Sequence, residues 1–145
     1  MEVFLRDGFI DRYSGDRLVN PGALRVISEL LPAEFPYHPH GRRDESHIAY
    51  WELMPTVDHV VPLAQGGPHE IENFATTSML RNLAKRNASL EQLDWTLRPS
   101  GSLTQWDGMS RWFADFVKRT PDLREVKHID DWFRATIDVG TAFGF

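Results

Sequence analysis

One stretch, residues 55–87, constrains the fold of this chain more than any other. It has the sequence PTVDHVVPLAQGGPHEIENFATTSMLRNLAKRN. Residues 56–61 are rich in β-branched side chains, and Pro62 stops this run because proline cannot donate a hydrogen bond to a neighbouring strand. Two adjacent glycines, Gly66 and Gly67, tolerate positive φ angles and mark the tip of a loop. The pattern therefore predicts a strand followed by a loop.

A second strand and a helix are predicted after this loop. Residues 74–77 form a short strand that returns antiparallel to the first, and Ser78 suits the N-cap of a helix. The helical spacing of the next residues separates two sets. One side carries Met79, Leu80, Leu83 and Ala84, and the other carries Ser78, Asn82, Lys85 and Arg86. We therefore expect a hairpin followed by a helix whose polar side faces back toward the hairpin.

The polar residues of this unit are suited to metal-assisted cleavage of a phosphodiester bond. Asp58 and His59 are neighbours on a strand, so their side chains point to opposite faces, and one can bind a metal while the other addresses an attacking water. Asp58 and the amide oxygen of Asn82 are hard oxygen ligands, which suit Mg²⁺ or Mn²⁺. His59, with a reference pKa of about 6.5, can accept a proton near neutral pH.

Four basic residues are candidates for contact with a nucleic-acid backbone. Lys85 and Arg86 belong to the polar side of the predicted helix and could hold flanking phosphates. The alternative is that both simply stabilise the end of the helix through its dipole. Arg42 and Arg43 lie in a proline-rich loop over residues 32–47. They could contact a nucleic-acid backbone, or the loop could simply be exposed to solvent.

Together these residues resemble the HNH endonuclease family, whose fold is the ββα-metal unit. The resemblance covers residues 55–87 and rests on DHVVPLAQGG, on Asn73, and on N-x-x-K at Asn82 and Lys85. The spacing from Asn73 to Asn82 is nine positions (82 − 73 = 9), which is the usual one in that family. The last motif residue is Asn82 rather than histidine, so the chain is similar to the H-N-N variant.

The resemblance implies a role for each motif residue. Asp58 and Asn82 would be metal ligands and His59 the general base. Asn73, the middle residue of the catalytic motif, would hold the hairpin loop in place rather than touch the substrate. The implied activity is metal-dependent hydrolysis of DNA with one Mg²⁺ or Mn²⁺ ion, giving 3′-hydroxyl and 5′-phosphate ends, and a monomer would nick one strand. Two alternatives stay open: an RNA-cleaving nuclease, and a non-catalytic module that binds nucleic acid or protein.

Composition limits the partners and the compartment. The chain has 16 basic and 21 acidic residues, and its net charge of −5 argues against tight, sequence-independent binding to long DNA, so a partner subunit could deliver the substrate. It has no cysteine and hence neither a disulfide nor a cysteine zinc site. We find no apolar run long enough to cross a membrane and no signal-like N-terminus, which predicts a cytoplasmic protein without a membrane partner.

The rest of the chain predicts an α+β protein built around the hairpin and helix. Residues 1–20 are expected to form a strand, a turn and a second strand, followed by a helix after Pro21-Gly22. We assign residues 1–100 to a nuclease domain with its core at 55–87. Residues 101–145 would form a helical hairpin packed on that domain, because apolar residues recur there at helical spacing. The alternative for these helices is a surface that binds a protein partner.

Many HNH proteins carry two C-x-x-C pairs that bind a structural zinc ion, and here the equivalent positions hold other residues. Asp11 and Ser14 align with the first pair, and Ser78 and Arg81 with the second. A structural zinc is therefore not expected. We predict instead a salt bridge between Asp11 and Arg81, with the two serines adding hydrogen bonds or caps. The alternative places Arg81 toward solvent or DNA and leaves Asp11 to cap a turn.

Overall fold

The chain has an α+β fold, described for residues 1–144 in a computed structural model. Two strands, β1 (Pro55–His59) and β2 (Phe74–Ser78), form an antiparallel sheet. The helices are α1 (Glu2–Arg6), α2 (Pro21–Leu30), α3 (Ala49–Glu52), α4 (Met79–Lys85), α5 (Ser110–Arg119) and α6 (Lys127–Gly140). Short 3₁₀ turns lie at Leu63–Gln65, Ile71–Asn73, Glu91–Leu93, Pro121–Glu125 and Thr141–Phe143. The predicted α+β class is confirmed.

The hairpin and the helix that follows it form where the sequence predicts them. In the register of the sheet, Pro55 pairs with Ser78 and His59 pairs with Phe74. β1 ends at His59, earlier than predicted. Helix α4 begins directly after β2, and the Ser78 hydroxyl caps it by accepting a hydrogen bond from the Arg81 N–H at 3.2 Å. The cap therefore fixes the direction in which the helix leaves the sheet.

The main hydrophobic core lies between helices distant in sequence. Its buried side chains come from residues 19–51 and from the two C-terminal helices: Val19, Ala23, Leu24, Val26, Tyr50, Trp51, Phe113, Val117 and Ile129. Both α5 and α6 pack against α2. Asn20 locks this arrangement, because its amide donates hydrogen bonds to the hydroxyls of Ser110 and Thr136, both at 3.0 Å. Residues 101–144 thus complete a core that the N-terminal part begins. Within residues 1–144, no helix has the length and apolar character needed to span a bilayer.

The prediction that residues 1–20 begin with a strand is wrong, because a short helix, α1, stands there instead. Val3, Phe4 and Leu5 are consecutive and all buried, so the alternation of apolar and charged residues does not separate two faces of a strand. The predicted turn is present, and an isolated antiparallel bridge joins Ile10 to Arg17 across it. Tertiary packing has overridden the period-two pattern.

The predicted salt bridge between Asp11 and Arg81 is confirmed. The Arg81 Nε lies 3.5 Å from Oδ2 of Asp11, which is 1% exposed. This carboxylate also accepts hydrogen bonds from the backbone N–H groups of Tyr13, Ser14 and Ser78 at 2.8–3.2 Å. Asp11 therefore caps the N-terminal turn and also joins that turn to the start of helix α4.

A second buried carboxylate, Asp7, ties α1 to the hairpin. It is fully buried, lies 2.9 Å from both the Arg6 and the Arg12 guanidinium, and accepts a hydrogen bond from the Thr76 N–H at 2.8 Å. Arg6 extends the link by donating to the carbonyl of Phe74 at 2.7 Å. Burial alone would raise the pKa of Asp7, but the hydrogen bonds and charges around it outweigh burial and lower that pKa. Asp7 is thus held in its charged form.

Candidate active site at the hairpin and helix

Strand β1, the loop after it and helix α4 surround an open recess of about 210 Å³. Its lining is Val57, Asp58, His59, Pro62, Leu63, Asn82, Arg86 and Asn87. Asp58, His59 and Asn82, which the sequence assigns to one site, therefore meet in one recess. The antiparallel register pairs Pro55 with Ser78, so helix α4 begins at the Pro55 end of β1 and runs back beside the strand. Asn82 therefore reaches Thr56, and Lys85 reaches the His59 carbonyl.

The Asp58 carboxylate is buried and is held through one of its two oxygens. Tyr13 donates a hydrogen bond from its hydroxyl to Oδ2 at 2.6 Å, and the Lys85 ammonium lies 2.9 Å from the same oxygen. Burial, reinforced by the bond to Asp58, raises the pKa of Tyr13 well above its ordinary value, so the tyrosine is a neutral donor. Within residues 1–144, the other oxygen, Oδ1, accepts no hydrogen bond and is free to bind a ligand.

The structure corrects the prediction that Lys85 contacts phosphates. The residue is 1% exposed, and its ammonium points inward to the Asp58 carboxylate and to the His59 carbonyl oxygen at 2.8 Å. The polar side of α4 does face the hairpin, as predicted, but this leaves the apolar side toward solvent, with Leu80 and Leu83 40% and 57% exposed. The buried carboxylate explains why Lys85 points inward, because it requires a compensating charge from the facing helix.

Asn82 presents an oxygen suited to a metal ion. Its Nδ2 donates to the Thr56 hydroxyl at 3.0 Å and to the Val57 carbonyl at 3.4 Å, which fixes the amide by its nitrogen. Its Oδ1 accepts no hydrogen bond from residues 1–144. Asp58 and Asn82 therefore each offer one uncommitted oxygen to the recess, a donor set that fits Mg²⁺ or Mn²⁺ with water and phosphate filling the other positions. No cluster of three or more His, Asp or Glu side chains suited to a metal exists within residues 1–144.

His59 is joined to His69, a loop histidine that is not part of the sequence motif. Its Nε2 lies 2.9 Å from Nδ1 of His69 in the loop, and both rings meet the edge of Phe74, with centroid separations of 5.0 and 5.1 Å. The signal for this contact was present in the sequence, since the two glycines between the histidines fold the loop back on itself. No comparable signal pointed to Tyr13, which reaches Asp58 from 45 positions away.

Asn73 lies outside the recess and holds the loop. Its Oδ1 accepts from the Val61 N–H at 2.9 Å, and its Nδ2 donates to the carbonyl oxygens of Val61 and Pro68 at 2.9 and 2.8 Å. It is 7% exposed. The amide thus spans the base of the loop that carries His69, the kind of position that the family resemblance implies for this residue.

Of the other three basic residues named from the sequence, Arg86 alone lines the recess. It is exposed and follows α4 with a φ of 50°. Arg42 is exposed and engaged by its neighbours, with its guanidinium 2.7 Å from Glu45 and 3.3 Å from Asp44. Arg43 is exposed and also lies outside the lining of the recess. Arg86 is therefore the basic side chain best placed to meet an anion there.

Replacing Gly67 with alanine is expected to distort the loop and to destabilise the protein by roughly 1–3 kcal/mol. A Cβ at this position would lie 1.9 Å from the Val61 carbonyl oxygen and 3.0 Å from the Asn73 amide nitrogen, so the backbone must shift. Denaturant unfolding of Gly67→Ala beside Glu70→Ala, an exposed neighbour, measures the effect. Equal stability of the two variants would contradict this account of the loop.

Comparison with protein-family models, with curated proteins and with solved structures finds no match to this chain.

Proposed function

We propose that this chain is a metal-dependent endonuclease of the HNH type that hydrolyses phosphodiester bonds in DNA. The observation that carries the proposal is the meeting of three groups in one recess. These are the uncommitted oxygens of Asp58 and Asn82, and the His59 ring. The order of hairpin and helix that brings them together supports a ββα-metal unit at residues 55–87. The proposed activity needs both a carboxylate–amide pair for a cation and an imidazole that can take a proton.

Asp58 and Asn82 would hold one divalent ion, Mg²⁺ or Mn²⁺. When bound, such an ion supplies positive charge to a phosphate oxygen and to the leaving oxygen. Tyr13 and Lys85 fix the Asp58 carboxylate by Oδ2, and this leaves Oδ1 as the ligand. The hydrogen bonds from the Asn82 nitrogen likewise orient its oxygen. Both ligands are therefore held in place before any ion arrives, which limits the reorganisation needed on binding.

His59 would accept the proton of the attacking water, and Arg86 at the rim would hold a flanking phosphate by a charge-assisted contact. Asn73 would act on the reaction only through the loop that it braces. The net charge of −5 argues against tight binding of long DNA by this chain alone, so we place the C-terminal helices or a partner subunit among the candidates for substrate delivery. RNA is the alternative substrate, since the recess contains no group that separates the two polymers.

One observation favours a second candidate, a non-catalytic nucleic-acid or protein-binding module. The Lys85 ammonium already pairs with the Asp58 carboxylate, so part of the negative charge that a metal ion would balance is balanced by the chain itself. A binding module that keeps the fold but does not catalyse cleavage would have a permanent lysine–aspartate ion pair of this kind. The two candidates differ in whether the chain cleaves a phosphodiester at all.

The deciding experiment is cleavage of a supercoiled plasmid, and of single-stranded RNA in parallel, with Mg²⁺ or Mn²⁺. We expect nicking by the wild type and a loss of roughly 100-fold or more in His59→Ala, because a general base contributes about that much. His128→Ala is the matched control, since His128 is an exposed histidine away from the recess. A wild type no more active than His59→Ala on either polymer would rule out the nuclease and leave the binding module.

A further inference from the structure

The contact between His59 and His69 leaves one ring nitrogen of His59 uncommitted. The bond joins Nε2 of His59 to Nδ1 of His69 at 2.9 Å, and the two ring planes meet at 34°. Within residues 1–144, Nδ1 of His59 has no hydrogen-bond partner. Phe74 meets both rings edge-on, with centroid separations of 5.0 and 5.1 Å. If His59 accepts a proton from water, the nitrogen free to do so is therefore Nδ1.

We propose that His69 is a positioning residue for His59, holding it in the tautomer that can act as a base. This inference rests on the proposed nuclease function and assigns a role to a residue outside the sequence motif. A neutral imidazole carries one N–H and one lone pair. The bond between the two rings therefore contains one proton, which belongs either to His59 or to His69.

Only one of the two assignments makes His59 a base. If His59 donates from Nε2, its lone pair is on Nδ1, and Nδ1 can take a proton from water. If His69 donates from Nδ1, then Nε2 of His59 is an acceptor already in use, and Nδ1 of His59 carries the hydrogen. In the first arrangement the proton moves from water to Nδ1. His59 then becomes a cation whose Nε2–H still donates to His69, a charge-assisted and stronger bond.

The surroundings of His69 suit the accepting role. Its ring is exposed, so its own Nε2–H can be satisfied by water while Nδ1 accepts from His59. The residue before it, Pro68, is held by the Asn73 amide at 2.8 Å. The Asn73 motif residue is thereby connected to His59 through the loop and His69, although it lies outside the recess. This connection gives a physical reason for an asparagine at that position.

Two substitutions at His69 separate positioning from simple packing. His69→Ala removes the acceptor, and we expect kcat to fall by about 10–100-fold, by analogy with the outer hydrogen-bond partners of metal-bound histidines, with little change in KM. His69→Asn places an amide oxygen close to where Nδ1 lies, so most of the lost rate should return. Glu70→Ala, an exposed neighbour in the same loop, is the matched control. Unchanged kcat in His69→Ala, or His69→Asn as slow as His69→Ala, would overturn the proposal.

A second measurement does not depend on activity. Long-range ¹H–¹⁵N spectra at a fixed pH where both rings are neutral report which nitrogen of His59 carries the hydrogen. We expect the Nε2–H tautomer in the wild type and in His69→Asn, and a mixture of tautomers in His69→Ala. A wild type in the Nδ1–H tautomer would refute the role of His69 even if the protein cleaves DNA. Absence of cleavage with the Nε2–H tautomer held by His69 would instead refute the nuclease and leave the positioning contact supported.

Discussion

Replacing Lys85 with methionine is expected to lower the free energy of unfolding by about 3–5 kcal/mol, the usual cost of removing one partner of a buried ion pair. The substitution leaves the Asp58 carboxylate with the Tyr13 hydroxyl alone and also removes the donor to the His59 carbonyl. Methionine has a similar length, so packing changes little, and the lost free energy of unfolding measures the effect of removing the charge. Lys85 is the most deeply buried cation beside the recess.

Guanidinium unfolding at neutral pH measures this effect, and the five tryptophans provide the fluorescence signal. Lys118→Met is the control, because Lys118 is an exposed lysine on α5 and its loss should cost well under 1 kcal/mol. Combining Lys85→Met with Asp58→Asn should cost less than the sum of the two single changes, since the pair is then removed together. If Lys85→Met and Lys118→Met were equally stable, the buried pair would have no role in stability.

Replacing Asp7 with asparagine is expected to lower the free energy of unfolding by roughly 3 kcal/mol at neutral pH. The change leaves the guanidiniums of Arg6 and Arg12 without their shared carboxylate and replaces the acceptor of the Thr76 N–H by an amide. Because Arg6 also holds the Phe74 carbonyl, we expect α1 to detach from the hairpin before the core unfolds. Hydrogen exchange at the amides of residues 74–78 would detect that loosening.

The effect of Asp7 should depend on pH in a defined direction. Its pKa in the folded protein is lowered below the unfolded value of about 3.9. The contribution of the Asp7 carboxylate to the free energy of unfolding is therefore fully present above about pH 4 and is lost as the pH falls through the pKa of the folded state. The stability difference between wild type and Asp7→Asn should thus shrink from neutral pH to about pH 3. Asp115→Asn, an exposed carboxylate on α5, should show no such change, and a difference independent of pH would contradict the assignment.

The hairpin and helix were predictable because their signals are local. β-branched residues, the pair Gly66-Gly67 and the Ser78 cap each act within a few positions, and they specify β1, the loop, β2 and α4 in order. The motif spacing then indicates that Asp58, His59 and Asn82 should belong to one site, and these three do line one recess.

The parts that were not predictable depend on contacts between distant segments. Periodicity predicts that the polar side of α4 faces the hairpin, but it does not predict that Lys85 is buried there beside the Asp58 carboxylate while Leu80 and Leu83 are exposed. The alternation over residues 1–20 suggested strands, yet residues 2–6 form helix α1 and bury the consecutive side chains of Val3, Phe4 and Leu5. Sequence periodicity reports a pattern of apolar residues and not which neighbour covers them.

Asp58 has its counter-ion built into the chain, and this separates folding from ligand binding. Small domains organised around a metal ion are commonly unfolded without it. Their ligand side chains repel one another, or they lose contact with water without gaining a compensating charge. Here Lys85 and Tyr13 arrive with the polypeptide itself and satisfy the buried carboxylate as soon as β1 and α4 meet. A newly made chain can therefore reach its final structure without a metal ion to balance this buried carboxylate.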